Sequence, residues 1–584
     1  MKGFFKVVLG TIVGLILFIV LQFVLFIGIA ASFSSSEVTK LESNSVYRLD
    51  MKGTLAERVA NDPLADMFSS VPGYEQETKI GLEDILANIK LAKDDAKIQG
   101  IYLNGGSLQT GFASAKQIRD ALLDFKQSGK WIVAYADDYS QLNYYIASVA
   151  DRVCLNQQGS VALHGLASSL MFYKNTLDKL GIEMQVFKVG TFKSAVEPFI
   201  TTQMSEPNRL QYQTLLDDFW SEVVKEIGES RDLSVMRLNE LADENMDLVP
   251  QERYVETKLV DTLLYVQDMD SLVKRLCQTD KYHFVSHKSM CQVVRNEKYE
   301  SDKIAVLYAE GDITDDTGDG IVGTKMVKTI NELVKDDDVK AIVMRVNSGG
   351  GSAYASEQIW HAFMVAKEAG KPIVVSMGDY AASGGYYISC MADTIFAEPT
   401  TLTGSIGIFG LIPNFRQTAD KIGLSFDGVQ TNKYGLFYAD AQYGTMSEEE
   451  KLQMQNAINR GYELFTQRCA DGRHCTQDSI KTIAEGRVWS GTRALELGLV
   501  DKLGSLNDAI ECAARMASLD KYSVATYPEV EDFYTQLLNS TATEKIANRI
   551  IANRLGFGYR QYETINKVLN TSGIRAQMVP VEIY

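Results

Sequence analysis

The sequence predicts an α/β protein that consists of two similar copies, with an apolar segment ahead of the first copy. Three observations support this prediction: the length of the chain, an internal repeat, and the alternation of strand-like with helix-like segments. The chain has 584 residues, which is more than one hydrophobic core usually organises, so we expect at least two domains. Hydrophobic residues make up 46% of the chain and charged residues 23%, as in ordinary globular proteins.

An internal repeat defines the two copies. Matched segments keep an offset of 241 or 242 residues over a long stretch of the chain. The matched pairs are Ile98–Ile101 with Val339–Ile342, Gly129–Val133 with Gly370–Val374, Tyr144–Ile146 with Tyr386–Ile388, and Ala150–Asp151 with Ala392–Asp393. Chance does not hold a register over this length, so the repeat predicts a duplicated domain.

Each copy has the pattern of a parallel α/β unit. Short apolar runs rich in β-branched residues, such as Ala341–Val346 and Pro372–Ser376, predict buried strands. The stretch from Ala355 to Ala369 lies between these two runs and has the periodicity of an amphipathic helix. The alternation favours βαβ units around a buried, largely parallel sheet.

The pattern along the chain divides it into five segments. They are an anchor at 1–33, a polar linker at 34–45, a first copy at 46–298, a second copy at 299–520, and a tail at 521–584. The tail has no counterpart in the first copy, and it shows helical periodicity around Ala542–Leu555. We expect a helical tail that docks on the body or on a neighbouring subunit.

The N-terminal segment predicts one transmembrane helix. From Val7 to Phe33 the only strongly polar side chain is Gln22, and at about 1.5 Å per residue such a run spans a hydrocarbon layer of about 30 Å. Lys2 and Lys6 precede the run, so we expect a cytoplasmic N-terminus and an exported body. A cleaved signal peptide is the alternative, since small residues suited to cleavage end the run.

Composition excludes several classes of function. The net charge is −17, which argues against sequence-independent binding of nucleic acid. None of the five histidines falls in an HExxH motif, and the seven cysteines form no CxxC motif, so we expect neither a metal site nor a cofactor. In an oxidising compartment Cys277 could pair with Cys291 and Cys469 with Cys475, or all could remain thiols.

The two copies differ at Ser383. In the second copy this serine stands between Ala-Ala and Gly-Gly, directly after a predicted strand, whereas the aligned residue of the first copy is Gln141. We expect Ser383 to be exposed on a tight strand-to-helix turn, where a hydroxyl can act as a nucleophile. The alternative is a serine that only caps the N-terminus of a helix.

A glycine-rich loop supplies candidate donors for an oxyanion hole. Asn347–Ser352 follows a predicted strand and precedes a predicted helix, and backbone amides of such loops can stabilise the charge that develops on a carbonyl oxygen. The candidates are the N–H groups of Gly350 and Gly384. The loop could instead bind phosphate, but the GKS or GKT signature of phosphate-binding loops is missing.

These motifs, with Thr403–Gly407 and Gly190–Phe199, resemble the signal peptide peptidase A family in its long, tandem-repeat form. The resemblance covers about residues 45–515. It implies two copies of the Clp protease/crotonase-like fold and a serine endopeptidase with a Ser/Lys dyad. It also implies that the enzyme degrades signal peptides and other hydrophobic peptides at the bacterial inner membrane, with its catalytic body on the extracytoplasmic side, and that it forms a homo-oligomer, with a tetramer suggested.

The resemblance also assigns roles to three residues. Ser383 corresponds to the nucleophile, Lys193 to the general base, and Ser405 to the hydroxyl that holds the lysine amine. In the second copy the position opposite Lys193 falls near Gly435, so the first copy keeps the base and the second keeps the nucleophile. To act as a base, Lys193 must have its pKa lowered by about three units, which costs ~4 kcal/mol. The alternative that avoids this cost is a surface lysine paired with Glu197.

Two other classes of function stay open at this point. One is an enzyme of the same fold that acts on acyl-CoA, and the other is an envelope scaffold in which both copies have lost activity. His361 could form a Ser/His arrangement with Ser383, but its place on an amphipathic helix favours a surface or packing role.

Overall fold

The computed structural model describes residues 39–59, 78–294, 299–318, 320–529 and 574–578, together with Gly14, Leu15, Leu17, Phe18, Leu21 and Ile583. The predicted anchor, apart from those five positions, and the helical periodicity of the tail lie outside the described residues. Within the part of the chain that is described, no helix has both the length and the apolar character that a membrane span requires.

The first copy is built on a sheet of six parallel strands. In spatial order the strands are His283–Ser286, Ser45–Asp50, Ile98–Asn104, Trp131–Tyr139, Arg152–Val161 and Thr262–Leu263. Their side chains form the centre of a hydrophobic core in which Ile101, Ile132 and Val153 are fully buried. Burial on both faces explains why these strands are continuous apolar runs in the sequence.

The second copy repeats this arrangement in a sheet of eight strands. Along the main path the strands are Val488–Ser490, Leu402–Gly404, Ile373–Ala382, Val339–Ser348, Lys303–Glu310 and Ser523–Tyr527, and Thr394–Ala397 and Lys502–Leu503 join beside Ile373–Ala382. All pairs are parallel except that of Val488–Ser490 with Leu402–Gly404. Ser523–Tyr527 takes the place that His283–Ser286 has in the first copy, so the second sheet extends past residue 520 into the segment assigned to the tail.

A third sheet joins the two copies. Its strands, in spatial order, are Ile321–Val322, Ile313–Thr314, Gly350–Ser352, Ile574–Gln577, Phe409–Asn414 and Glu183–Lys188. Glu183–Lys188 belongs to the first copy and pairs antiparallel with Phe409–Asn414 of the second over six residues. A small fourth sheet contains Lys79–Gly81, Gly53–Ala56 and Leu108–Gln109.

Helices cover the faces of the sheets in both copies. In the first copy they are Leu82–Asp94, Phe112–Lys126, Gln141–Ala147, Lys174–Leu180, Glu197–Ile200, Glu206–Arg231, Val235–Asp243, Gln251–Glu256, Met269–Cys277 and His287–Cys291. In the second copy they are Gly323–Lys335, Ala353–Glu368, Gly384–Tyr387, Arg416–Lys421, Phe437–Gln442, Glu448–Gly472, Gln477–Ile483, Gly491–Glu496 and Leu506–Met516. Short 3₁₀ turns occupy Ser194–Val196, Met246–Leu248 and Val266–Asp268. The alternation of strands and helices confirms the predicted α/β class.

Buried polar contacts fix the two copies against each other. Arg345 of the second copy donates to the Glu57 carboxylate of the first at 3.0 Å, and both side chains are buried. The Asp379 carboxylate accepts hydrogen bonds from the backbone N–H of Ser114 at 3.0 Å and from its hydroxyl at 2.6 Å. Breaking a buried, hydrogen-bonded ion pair by removal of one partner costs about 3–5 kcal/mol, so these contacts hold the junction in one geometry.

Candidate active site

Lys193 and Ser383 meet at the junction of the two copies. The Nζ atom of Lys193 lies 2.8 Å from Oγ of Ser383. Nζ also donates to the backbone oxygen and to the hydroxyl of Ser405, each at 3.1 Å. The Ser405 hydroxyl in turn donates to the backbone oxygen of Gly486 at 3.3 Å. In a neutral lysine both N–H groups can therefore bond to Ser405, which leaves the lone pair of Nζ for the proton of Ser383.

Burial sets the protonation state of this lysine. The side chain of Lys193 is 1% exposed, and its removal from water lowers its pKa to about 7. A lysine in water keeps almost no neutral amine at pH 7, whereas a lysine with this pKa is about half neutral. The geometry and the pKa thus supply a base next to a hydroxyl.

Glu197 is not the partner of Lys193. Its carboxylate accepts hydrogen bonds from the backbone N–H and the hydroxyl of Ser205, at 3.2 Å and 2.5 Å, and from Nδ2 of Asn208 at 2.8 Å. These groups stand at the N-terminus of the helix Glu206–Arg231. The alternative of a surface lysine paired with Glu197 is therefore wrong.

The inter-copy sheet carries Lys193 into the second copy. Lys188, the last residue of its strand, pairs with Phe409. Beyond it the backbone turns at Gly190, which has φ +106° and passes so close to Glu485 that a Cβ atom would lie 2.4 Å from the Glu485 backbone. The N–H of Phe192 then donates to the backbone oxygen of Glu485 at 3.0 Å. Strand pairing and this close approach together place the lysine.

Gln211 holds the lysine segment from the other side. Its Nε2 atom donates to the backbone oxygen of Phe192 at 3.2 Å and to the hydroxyl of Ser194 at 2.9 Å. Its Oε1 atom accepts from the backbone N–H of Val488 at 3.3 Å. No motif in the sequence indicates the role of Gln211. The one signal is that it is a polar residue on the buried face of a long helix, three residues after Asn208.

Ser383 stands at a strained turn between strand and helix. It follows the strand Ile373–Ala382, precedes the helix Gly384–Tyr387, and has φ +57° and ψ −114°. A side chain in this region of backbone space costs about 1–3 kcal/mol and is typical of functional sites. Ser383 occupies the N-cap position, but its side chain makes no capping hydrogen bond, so the capping alternative is wrong. The predicted exposure is also wrong, because the residue is 0% exposed.

The two candidate oxyanion glycines lie side by side. A Cβ atom on Gly350, which has φ +97°, would lie 2.6 Å from the amide nitrogen of Gly384. The N–H of Gly350 donates to the hydroxyl of Ser348 at 3.1 Å, and that hydroxyl donates to the backbone oxygen of Gly311 at 2.6 Å. The structure brings the two backbone segments together, and Ser348 engages the Gly350 amide.

The chain's own C-terminal strand lies across this site. Ile574–Gln577 pairs antiparallel with Gly350–Ser352 on one side and with Phe409 and Gly410 on the other. The strand continues into Met578, which lines a small pocket beside the dyad. The residues that line this pocket are Leu170, Phe192, Lys193, Ser194, Ala195, Pro198, Gln211, Tyr212, Ser405, Gly486, Val488 and Met578.

The corresponding positions of each copy carry no second dyad. Gln141, aligned with Ser383, donates from Nε2 to the backbone oxygen of Gly165 at 3.0 Å and accepts from the N–H of His164 at 3.1 Å. Near Gly435 the adjacent lysine, Lys433, is exposed and pairs with Glu449. His361 is exposed on the helix Ala353–Glu368, as expected for a surface residue.

No disulfide joins any two of the seven cysteines, all of which lie within the described residues. Of the seven, Cys291 and Cys475 are exposed and the others are buried. The pairing that the sequence left open for an oxidising compartment is absent from this structure.

Known proteins have sequences similar to this chain. The sequence profile of peptidase family S49 matches residues 124–280 and again 365–520, in agreement with the duplication. Protease 4 of Haemophilus influenzae is 35% identical over 520 residues, which cover 85% of this chain and 83% of that protein. A chloroplastic serine protease SPPA of Arabidopsis thaliana is 26% identical over 557 residues, 92% of this chain and 78% of that protein.

Shorter and more distant similarities exist as well. A putative signal peptide peptidase SppA of Enterococcus faecium is 31% identical over 253 residues, 42% of this chain and 72% of that protein. Among solved structures, a ClpP1 mutant of Listeria monocytogenes covers 35% of this chain at 15% identity with a TM-score of 0.24, which is too low to assign a fold. The two profile matches and the long similarity to Protease 4 are sufficient for the family: this chain belongs to peptidase family S49 and is a serine protease.

Proposed function

We propose that Ser383 is the nucleophile and Lys193 the general base of a Ser/Lys endopeptidase. The observation that carries this assignment is the 2.8 Å approach of Nζ to Oγ at a lysine whose pKa is lowered to about 7. Ser405 orients the amine through two contacts at 3.1 Å. An acyl-CoA enzyme or an inactive scaffold would have no use for a neutral lysine held against a serine hydroxyl.

The geometry supports a two-step hydrolysis. Ser383 gives its proton to Nζ while Oγ attacks the carbonyl carbon of the peptide bond. The backbone amide of Gly384 is the nearest candidate donor for the oxygen that becomes negative, with Gly350 beside it. The Lys193 ammonium then gives its proton to the leaving amine. Neutral again, Nζ accepts a proton from a water molecule whose oxygen attacks the carbonyl carbon of the acyl-serine. As the bond from that carbon to Oγ breaks, Nζ returns the proton to Oγ, so the acid product leaves and both Ser383 and the neutral Lys193 are restored.

The substrates we propose are hydrophobic peptides, with cleaved signal peptides as the main class. The pocket beside the dyad is lined by Leu170, Phe192, Tyr212 and Val488, and their apolar surfaces favour an apolar side chain of the substrate. The name of the Enterococcus faecium relative, a putative signal peptide peptidase, points to the same class.

We further propose that the chain is anchored by residues 1–33 in the bacterial inner membrane, with the catalytic body on the extracytoplasmic side. The support is the apolar run after Lys2 and Lys6. The Clp protease/crotonase-like fold of each copy and a homo-oligomer, such as a tetramer, are proposals of the same kind, which rest on the resemblance. Protease accessibility in spheroplasts tests the orientation: the body is digested from outside, whereas a cytoplasmic body would be protected.

Covalent labelling with a fluorophosphonate tests the catalytic assignment. The reagent should modify the full-length protein at Ser383, and Ser383→Ala should abolish the labelling. Ser389→Ala is the matched control, because Ser389 is equally buried, lies on the same segment and bonds to the backbone oxygen of Gly385 instead of a lysine. Persistent labelling of Ser383→Ala would overturn the assignment.

A further inference from the structure

The chain's own C-terminal strand sits where a peptide substrate would bind. Ala576 is opposite Gly351 and Gln577 is opposite Gly350 in the antiparallel pairing. The backbone N–H of Met578 donates to the oxygen of Gly349 at 2.8 Å. The strand is inserted between Gly350–Ser352 and Phe409–Asn414. Addition of a peptide strand to a sheet is a common mode of peptide recognition, in which main-chain bonds give affinity and side-chain pockets give specificity.

The strand also reaches the catalytic groups. A Cβ atom on Gly350 would lie 2.2 Å from the backbone oxygen of Ala576, and a Cβ atom on Gly384 would lie 2.9 Å from it. The Ala576 carbonyl therefore lies beside both candidate oxyanion glycines, where the carbonyl of a bound peptide would be. Ser383, at 0% exposure, cannot meet another peptide in this state.

The side chains of the segment fit their surroundings. Ala576 is 0% exposed, so its small side chain is fully enclosed. Met578 and Ile583 pack against an apolar cluster that includes Tyr212, Leu402 and Val488. Gln577 donates from Nε2 to the Asp312 carboxylate at 3.4 Å. The backbone and the side chains of the C-terminal segment therefore both contact the groove.

We propose that residues 574–578 are a tethered peptide ligand of the active site, so that a substrate must displace them before it is cleaved. This inference rests on the proposed function of Ser383 and Lys193. It also defines the preferred substrate: an extended strand with a small side chain at the Ala576 position and an apolar one at the Met578 position. A ligand on the same chain competes at the effective concentration that its tether sets.

Deletion of residues 574–584 should open the groove. If the segment occupies the site nine-tenths of the time, the KM for an added hydrophobic peptide should fall about tenfold on deletion, with kcat unchanged. Ser383 should react about tenfold faster with a fluorophosphonate for the same reason. A synthetic peptide of residues 573–584 should compete with substrate on the deletion variant and restore the higher KM.

A point variant covers the case in which deletion prevents folding. Ala576→Arg cannot keep the segment in the groove and should raise the labelling rate in the full-length chain. Val524→Arg is the control, since Val524 is 48% exposed on another strand near the C-terminus. Equal labelling and equal KM in all variants would overturn this inference alone. Absence of labelling at Ser383 in every variant would overturn the proposed function, and this inference with it.

A separate cluster of metal-ligating side chains lies in the first copy. Asp84, His287 and Cys291 each offer one ligand atom, and these atoms lie within 4.8 Å of one another. His287 and Cys291 are one turn apart on the same helix, with Nε2 and Sγ 3.8 Å apart. Bond lengths of about 2.0–2.1 Å for Zn–N and about 2.3 Å for Zn–S place two tetrahedral ligands at nearly this separation.

The surroundings of the cluster suit a bound ion. The hydroxyl of Tyr47 lies 2.8 Å from Nδ1 of His287, which leaves Nε2 directed toward Cys291. Metal-ligating histidines usually bond to such a partner through their other ring nitrogen. The Nδ2 atom of Asn88 donates to Sγ of Cys291 at 3.2 Å. Because Cys291 is exposed, an ion can reach the cluster from solvent.

From these contacts we propose that Asp84, His287 and Cys291 form a binding site for a divalent ion of the Zn²⁺ type. Mixed carboxylate, imidazole and thiolate ligands suit this ion. No motif in the sequence predicts this site, because nothing there indicates that Asp84 lies beside two residues about 200 positions later.

Titration of the metal-free, full-length protein with Co²⁺ tests this site. We expect a thiolate-to-cobalt charge-transfer band that saturates at one ion per chain and disappears when Zn²⁺ is added. Cys291→Ser should remove the band, and Asp84→Asn should weaken binding at least tenfold. Cys475→Ser, which alters the other exposed cysteine, should leave the band intact. Absence of the band, or a band of equal strength in Cys291→Ser, would overturn the proposal.

Discussion

Gln141 donates a hydrogen bond of 3.0 Å to the backbone oxygen of Gly165 in the first copy. By the repeat offset these residues correspond to Ser383 and Gly407 of the second copy. In the second copy a Cβ atom on Gly407 would lie 3.2 Å from the Lys193 side chain. In the first copy the equivalent glycine, Gly165, is instead bonded by the side chain of Gln141. The two copies thus share a backbone plan but not a reaction.

We expect Ser383→Ala to abolish peptidase activity and to leave the fold intact. The substitution removes one hydroxyl. The backbone strain of the turn, which has a positive φ, is the same for alanine as for serine. Peptide hydrolysis and a thermal melt measure the two effects. Ser389→Ala should keep its activity, and substantial turnover by Ser383→Ala would contradict the assignment.

The rate of reaction at Ser383 should rise with pH through about 7. The pKa of Lys193 is lowered to about 7 by burial, and the neutral amine is the active base. The labelling rate should therefore increase about tenfold per pH unit well below 7 and level off above it. His361→Ala should give the same profile, because His361 is exposed and outside the dyad. A flat profile, or one altered by His361→Ala, would exclude Lys193 as the sole base.

Lys193→Met should stabilise the folded protein near neutral pH. The pKa of Lys193 is lowered from 10.5 to about 7 in the folded state, so the unfolded state binds more protons between these two values. The stability of the wild type should rise with pH across that window. The penalty that Lys193 imposes on the folded wild type, about 4 kcal/mol at pH 7, should nearly vanish by pH 10.5. Chemical denaturation at several pH values measures this slope. Lys188→Met, which keeps Lys193, is the control, and its stability should rise with pH along the same slope as that of the wild type.

Gln211→Ala should lower activity although Gln211 does not touch the reacting atoms. Its side chain bridges Phe192, Ser194 and Val488, so its loss should let Lys193 move away from Ser383. We expect kcat to fall about 10–100-fold, as for displaced positioning groups, with an altered pH profile. Gln213→Ala on the same helix, where Gln213 is exposed and bonds to Asp217, should be neutral. An unchanged pH profile in Gln211→Ala would indicate a purely structural role.

Neither half of the chain should be active alone. Residues 46–298 contain Lys193 without a serine partner, and residues 299–584 contain Ser383 without the lysine. Mixing the purified halves should restore some hydrolysis, because Glu183–Lys188 and Phe409–Asn414 can still pair. Hydrolysis by the second half alone would show that its base is local.

The sequence indicated that Ser383 and Lys193 act together, because the family resemblance assigned their roles and the repeat showed that each copy keeps only one of the two. One copy lacks the serine and the other the lysine, and the structure brings the remaining pair to 2.8 Å within one chain. The burial of Ser383 could not be predicted, because it depends on a strand about 190 residues later in the chain. Strand addition of this kind depends on edge geometry rather than on a local motif.

Gln211 and the Asp84 cluster escaped prediction for a related reason. Gln211 contacts Val488 across the junction, and Asp84 approaches His287 through the packing of two helices. Hydrophobic periodicity predicts which face of a helix is buried, but it carries no information about which distant polar group that face will meet.

The path of the chain through the junction also sets the time at which a newly made molecule can become a protease. The segment that presses on Lys193 includes Gly486, whose Cβ position would lie 2.7 Å from the lysine backbone. A nascent chain that ends before this glycine contains Lys193 but lacks the segment that packs against it. The strand Ile574–Gln577 is synthesised later still. The order of synthesis is therefore the base first, then the nucleophile, then the segment that packs against the base, and the strand that covers the site comes last.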